Sequence, residues 1–505
     1  MTVYAIPAFH DQLHTFNDAN DPRKLESQDI LSCLCRGEDG DADLFTELNR
    51  NHFCFDVNAG RWCVFSGHHW QRDDLAESRQ AVERVIDAYG NEANRQATAR
   101  IEAVKTGRTE EAKKYQKLED DLMKRIHALQ TIARKENVLT LARTGKSSLA
   151  VRGDIWDKDP WVLGCKNGVI DLKTGFLRPG RPSDYIKTVS PVEYRGLDEP
   201  ATIWERTIKE ICGDYADLPD YLHRLLGYSI TGLSNWHIYP IFYGPQGRNG
   251  KGTILETLKF VLGDLAHKGN SETLLESRNS PRRGSADADT LAFRGKRIIW
   301  ASETNEGRKL NVSRIKELCG GDTLNARAVY GRDPVEFQPT HLLILLTNER
   351  PSAPAEDSAL WERIHLVPFD VRFVDNPIGK NERPVDRDLL EKLKAEAPGI
   401  LSWLVRGCLK WQESGIKRPD SVQNATTEYR QDEDIIGKFI SERCETGAVW
   451  QVQASTLFAA FRDWCTDFGY AINQTRFGKE MKSRYDYTKG RNTYYIGIQL
   501  IPAEG

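Results

Sequence analysis

The chain has 505 residues, of which 39% are hydrophobic and 28% charged, and its net charge is −3. That length exceeds a single core and predicts two to four domains of ordinary globular composition. The 10 cysteines are scattered without a CxxC pair, and no apolar run approaches the roughly 20 residues of a membrane-spanning helix, so neither a disulfide scaffold nor a membrane protein is expected.

The start MTVYAIPAFHDQ lacks the basic-then-apolar pattern of a secretory signal, which predicts a cytoplasmic location. A near-neutral total charge still allows nucleic acid, because a phosphate-gripping surface need only be locally basic.

In chain order, residues 1–40 are polar and weakly patterned and are expected to form an extension. Residues 41–195 predict an α+β region. It begins with helix-like LFTELNRN, followed by strand-like HFCFDV and RWCVFSG around an Asn58-Ala59-Gly60 turn, which makes a hairpin. Trp62 and Trp70 are assigned to the core. His52, Cys54, Cys63 and His68 are the only candidate zinc set, and their spacing favours buried thiols over a metal site. Residues 75–143 are helical, with acidic residues preceding basic ones at helical spacing, as on a solvated face. WVLGCKNGVIDLKTGFLRPGRP reads as short strands with turns at Asn167-Gly168 and Thr174-Gly175. Two helices are expected from about 204 to 235, and then a strand through Ile238–Tyr243.

That strand opens the segment carrying chemistry. It runs into GPQGRNGKGT and then helix-like ILETLKFVLG, a strand, glycine-rich loop and helix. Gly244, Gly247 and Gly250 allow backbone amides to face phosphate oxygens, and the helix presents its amino terminus to the same anion. Lys251 supplies a mobile charge for the β- and γ-phosphates. The predicted phosphate-binding set is Gly244, Gln246, Gly247, Arg248, Asn249, Gly250, Lys251, Gly252 and Thr253, with ATP and Mg²⁺ as the implied cofactors. Two departures from GxxxxGK[ST] stand out. Pro245 occupies the first glycine position, and Gly252 has no hydroxyl for Mg²⁺, which leaves Thr253 or a water to replace it. Nucleotide binding therefore rests on more residues than rapid hydrolysis does.

Downstream, KRIIWA is a buried-strand pattern ending in SETNE. Glu303, with Glu306 as second choice, is placed where such a loop needs a carboxylate for Mg²⁺ and water. The apolar strand HLLILL runs into Thr347 and Asn348, the latter a candidate γ-phosphate sensor. Arg363, just before another strand, is a candidate finger reaching a neighbouring subunit. The span 325–337 reads as a hairpin tipped by YGRD, with Arg327, Tyr330 and Arg332 as candidate contacts to single-stranded DNA. Taken singly, each has a plainer reading as a turn-forming Asn, a salt-bridged Arg or a surface hairpin. Their order after the glycine loop gives them weight.

From 432 onward, ASTLFAAFRDWCTDFG predicts an amphipathic helix. The basic helix QTRFGKEMKSR follows, carrying Arg476, Lys479, Lys482 and Arg484, and then a two-stranded wing with Lys489 and Arg491.

The stretches GPQGRNGKGT, GKRIIWASETNEGRKLNVSRIKELCGGDTLNARAVYG, PTHLLILLTNERP and ALWERIHLVPF together resemble the superfamily-three helicases, specifically the phage and plasmid primase–helicase family related to the poxvirus primase–helicase. The resemblance implies an α/β fold with an AAA+ P-loop NTPase core at 236–425, a helical collar at 196–235 and a C-terminal winged helix at 432–505. It also implies a homo-hexameric, ATP-driven DNA helicase moving 3′ to 5′ on single-stranded DNA in the ring pore, with duplex DNA at the winged helix and replication proteins as partners in a bacterial host cytoplasm. The first 150 residues show no acidic metal motif of a primase, so priming is not expected of this chain. Two rivals remain open: a nucleotide-loaded ring that binds an origin or partner with weak or no turnover, and a nucleotide-gated sensor or defence ATPase.

Overall fold

The computed structural model describes residues 25–145, 147–276, 285–303, 307–327, 335–468 and 473–501. The chain divides into two compact units. The first comprises Met1–Asp171 with Phe176–Tyr194, and the second Leu172–Gly175 with Arg195–Gly505.

In the first unit, strands Phe53–Asp56, Arg61–Phe65 and Trp70–Arg72 form an antiparallel meander, and Ala150–Val151 adds parallel to the first of them. The turn is closed where the Asp56 carboxylate accepts the Ala59 N–H at 2.9 Å and Gly60 takes φ +64°. Trp70 is fully buried, with its indole N–H donating to Pro182 O at 2.9 Å, whereas Trp62 is half-buried. Cys54 and Cys63 are buried free thiols paired across the strands. His68 Nδ1 accepts the Gly180 N–H instead of converging on them. Among the described residues, no three His, Cys, Asp or Glu side chains group as metal ligands.

Helices Glu83–Lys105 and Thr109–Leu129 form a hairpin braced by Arg100–Glu119 at 3.0 Å. The expectation of an extension over residues 1–40 fails from residue 25 onward, and residues 1–24 lie outside the described residues. Residues Ser27–Cys35 and Gly37–Asn49 are helices, and Ile30 and Leu34 are buried in the unit's core with Phe45, Val85 and Leu122. Glu26 and Asp29 cap the first helix reciprocally, and Ser27 donates to Glu92 at 2.5 Å. Only Ile30 and Leu34, one turn apart, are buried from this helix, with Leu31 and Cys33 packed partly against the same core, and so short a segment does not stand out as a periodic pattern.

The second unit is built on an α/β layer. Its five-stranded sheet consists of β1 (Tyr239–Tyr243), β2 (Ala266–Lys268), β3 (Ile298–Glu303), β4 (Leu342–Thr347) and β5 (Ile364–Pro368). All neighbouring pairs are parallel, in the order β5-β1-β4-β3-β2. Strands β4 and β5 are buried at every residue, as unbroken apolar runs in parallel sheets should be. Ile241, Ile299, Leu345, Leu366 and Trp361 share one core cluster with Tyr429. Pro240 is tolerated in central β1 because pairing with β4 begins only at Ile241.

Helices Leu218–Ser229 and Ala397–Ser414 cross at a glycine contact, where a Cβ on Gly227 would meet the Gly407 carbonyl carbon at 2.1 Å. Helix Asp420–Glu433 runs straight through the expected domain limit at 425. Thr426 Oγ1 accepts the Leu366 N–H at 3.0 Å and Tyr429 is fully buried, so this helix belongs to the sheet's core. Beyond it, helices Ile435–Arg443, Ala454–Phe468 and Gln474–Arg484 pack with a three-stranded sheet around Phe439, Phe461 and Phe477. Among the described residues, no helix is long and apolar enough to cross a membrane.

Candidate nucleotide-binding site

The register of the parallel sheet aligns Pro368, Tyr243, Thr347 and Glu303 as Cα partners in one row at the carboxyl edge. Strands stand roughly 4.8 Å apart, so the Glu303 backbone lies two strands, about 10 Å, from the end of β1. The glycine-rich loop leaves β1 immediately after this row, and Asn348 leaves β4 at the same level. The order doubles back beside β1, and such a switch point at strand carboxyl ends is where open α/β sheets form a crevice for ligands.

The loop folds back on itself. Gln246, Gly247, Arg248 and Gly250 all take positive φ, at +70°, +70°, +54° and +80°. For Gln246 and Arg248 this costs on the order of 1 kcal/mol each, strain held by the surrounding structure. Two anchors hold it: Asn249 Nδ2 donates to Val371 O at 3.1 Å, and the Phe373 N–H donates to Arg248 O at 2.9 Å. Gly244 and Gly250 have no room for a side chain, since a Cβ would meet Phe369 O at 2.7 Å in one case and the Ile211 side chain at 2.5 Å in the other.

Lys251 begins helix α1 (Lys251–Leu262), which is entered through Gly250. It is only 7% exposed, and burial lowers its pKa to about 8. Its ammonium donates to three neutral oxygens: Gly244 O at 3.0 Å, Asn249 Oδ1 at 2.9 Å and Asn348 Oδ1 at 3.0 Å. Glycine loop, Lys251 and Asn348 thus meet at one point. In the first turn of α1, Gly252 is exposed and Thr253 half-buried, and a Cβ on Gly252 would meet nothing within 4 Å.

Other expected residues lie elsewhere. Arg363 precedes β5 at the amino-terminal edge, where its carbonyl accepts the Tyr239 N–H and its Nη1 donates to Ala359 O at 2.6 Å. Five residues of strand, about 16 Å, separate it from its own chain's loop. Leu324–Ala326 pairs antiparallel with Val335–Phe337, and Arg327 at the end of the first strand is exposed. Glu306, Tyr330, Arg332 and the Glu303 side chain lie outside the described residues.

On helix Gln474–Arg484, Lys479 and Lys482 are exposed, with Lys482 Nζ 5.3 Å from the Tyr487 ring centroid. Arg476 pairs with Glu356 at 3.1 Å and Arg484 with Asp434 at 2.8 Å.

The sequence reading missed Arg350. Two residues past Asn348, it lies 5.0 Å from the Tyr243 ring centroid and pairs with Glu428 at 2.9 Å and Asp432 at 2.8 Å. It ties the ends of β1 and β4 to helix Asp420–Glu433, and no local motif marks such a residue.

Two protein families match the chain. One described as "D5 N terminal like" covers residues 42–213, and one described as a family of unknown function (DUF5906) covers 242–363. A candidate helicase of Acanthamoeba polyphaga mimivirus is 28% identical over 96% of this chain and 51% of its own length. A candidate helicase of Frog virus 3 is 24% identical over 62% of this chain and 39% of its own. A candidate primase of African swine fever virus is 22% identical over 61% of this chain and 33% of its own. The chain thus spans about half the length, or less, of these relatives. Among solved structures, the NrS-1 C-terminal region covers 94% of this chain at 13% identity, with a TM-score of 0.45.

Proposed function

Since the chain belongs to the phage and viral primase–helicase family, we propose that it is an ATP-dependent DNA helicase or translocase of replication, with a P-loop AAA+ core between the helices of 202–229 and a C-terminal winged helix. One observation carries the reading. Lys251 stands at the amino end of α1 in a cage of neutral oxygens, beneath a loop whose amides are turned by four positive-φ residues.

A triphosphate entering the loop exchanges those neutral acceptors for anionic oxygens, and the charge-assisted bonds formed are roughly twice as strong as neutral ones. Loop N–H groups and the α1 amino terminus hold the same phosphates. Asn348, released from Lys251, is free to orient the γ-phosphate or the attacking water. Glu303, across the strand ends, polarises that water. Mg²⁺ bound with the triphosphate would neutralise its charge, and Thr253 with Glu303 are the residues that would hold it. Because Arg363 lies at the opposite edge of its own sheet, it serves phosphate chemistry only in a neighbouring copy, which fits a homo-hexameric ring. The hairpin of Leu324–Phe337 would then line the pore, and Lys479 and Lys482 would face duplex DNA.

The exposed, hydroxyl-free Gly252 favours one second reading, a nucleotide-loaded ring with weak turnover that works by binding origin or partner. Titration calorimetry with ATP tests what both share. Lys251→Ala is expected to lose at least ~100-fold in affinity, and retained affinity would remove the phosphate-loop assignment.

A further inference from the structure

On the β5 side of the carboxyl edge, next to the glycine loop, lies a cleft of about 520 Å³. Asp214 and Tyr215 line it from the turn after helix Thr202–Cys212, Asp370 and Val371 from the chain leaving β5, and Lys380 and Asn381 from the segment beyond. The cleft and the loop share a wall. Val371 O accepts from Asn249 Nδ2, and Ile211, just ahead of the turn, packs against Gly250. Asn348 and Glu303 lie on the other flank of the loop, toward β4 and β3. A triphosphate whose terminal phosphate points to Asn348 and Glu303 therefore sends its nucleoside in the opposite direction, into this cleft.

The polar groups there are partly committed. Lys380 pairs with Asp214 at 3.1 Å, and the Tyr215 hydroxyl donates to Asp370 Oδ2 at 2.5 Å. Asp370 Oδ1 and the Asn381 carboxamide have no hydrogen-bond partner among the described residues. A carboxylate oxygen accepts only, which suits paired hydroxyl donors. A carboxamide donates and accepts, which suits the edge of a base. Tyr215 fixes the carboxylate in place, so it is preorganised to accept.

We propose that this cleft is the nucleoside subsite of the ATPase centre, and that Asp370 selects ribonucleotides by accepting hydrogen bonds from the ribose hydroxyls while Asn381 reads the base edge. The proposal rests on the phosphate-loop reading.

Calorimetric titrations of the full chain with ATP, 2′,3′-dideoxy-ATP and inorganic tripolyphosphate, each with Mg²⁺, test it. Wild type is expected to bind the dideoxy nucleotide about tenfold more weakly than ATP, the scale of a lost hydrogen bond to a charged group. Asp370→Ala, which removes the acceptor, should bind the two nucleotides alike while keeping wild-type affinity for tripolyphosphate, which also reports an intact fold. Asn381→Ala should weaken ATP binding several-fold, again without change for tripolyphosphate. Undiminished discrimination in Asp370→Ala, or ATP binding no tighter than tripolyphosphate in wild type, overturns the subsite and leaves the loop reading standing. Unchanged binding of all three ligands by Lys251→Ala overturns the loop reading, and the subsite with it.

Discussion

The carboxyl edge of the parallel sheet and the basic helix Gln474–Arg484 both gather cations, but they hold them with different partners. At the sheet edge, the buried Lys251 is held by two side-chain amide oxygens and a backbone carbonyl, all neutral. On the helix, Arg476 and Arg484 are held by the carboxylates of Glu356 and Asp434. A neutral cage yields to a phosphate, because exchanging it gains charge–charge interaction at a partly desolvated site. A carboxylate competes with a phosphate for the same arginine. The first arrangement is poised for a ligand, whereas the second ties the C-terminal region to the rest of its unit and leaves Lys479, Lys482, Lys489 and Arg491 exposed, the residues to which the proposed function assigns DNA contact.

The largest effect that sharpens this contrast is expected at Glu303. If the sheet edge both binds and turns over nucleotide, Glu303→Gln should lower steady-state hydrolysis by about 10²–10⁴, the range of a lost catalytic acid–base group, with ATP affinity unchanged. Unchanged turnover would shift the role to Glu306.

Next comes the pH dependence of binding. The free-state pKa of Lys251 is lowered to about 8, and a bound triphosphate stabilises the ammonium and raises it. The contribution is thus complete below pH 7, and affinity should fall by up to about tenfold per pH unit above pH 8. Titrations that stay flat to pH 9.5 would show that Lys251 does not gain its charge partner from the nucleotide.

A smaller effect is expected on the helix. Lys479→Ala with Lys482→Ala should weaken duplex DNA binding by about tenfold and reduce the slope of log affinity against log salt by about two. Arg476→Ala should cost less than either lysine change. The opposite ranking, by fluorescence anisotropy across a salt series, would mean that Glu356 does not hold Arg476 away from DNA. The smallest effect is expected for Gly252→Ser. Its added side chain meets open space, so the fold should tolerate it, and turnover should saturate at a lower Mg²⁺ concentration.

The contrast also explains what could be read from the sequence. The glycine loop, the two apolar strands after it and the helical hairpin of 83–129 follow from local patterns: turn residues, unbroken apolar runs and helical charge spacing. Helix Ser27–Cys35 escaped because its two core residues gain meaning only against Phe45 and Leu122. Helix Asp420–Glu433 was cut by the expected domain limit at 425 since its fixing contacts, Thr426 to Leu366 and Tyr429 in the sheet's core, are remote in sequence. The loop's glycines and lysine carry the expectation of a phosphate site, but the hydrogen bond from Lys251 to Asn348 needed the register of β1 and β4. Arg350 and the cleft beside Val371 are likewise products of strands brought together, which no local spacing encodes.

The central claim is that the caged Lys251 belongs to a motor driven on DNA. Steady-state ATP hydrolysis measured with and without single-stranded DNA, beside Lys251→Ala, tests it most directly. The account predicts a rate strongly raised by DNA and lost in the variant. A rate indifferent to DNA, or one that survives in Lys251→Ala, would contradict it.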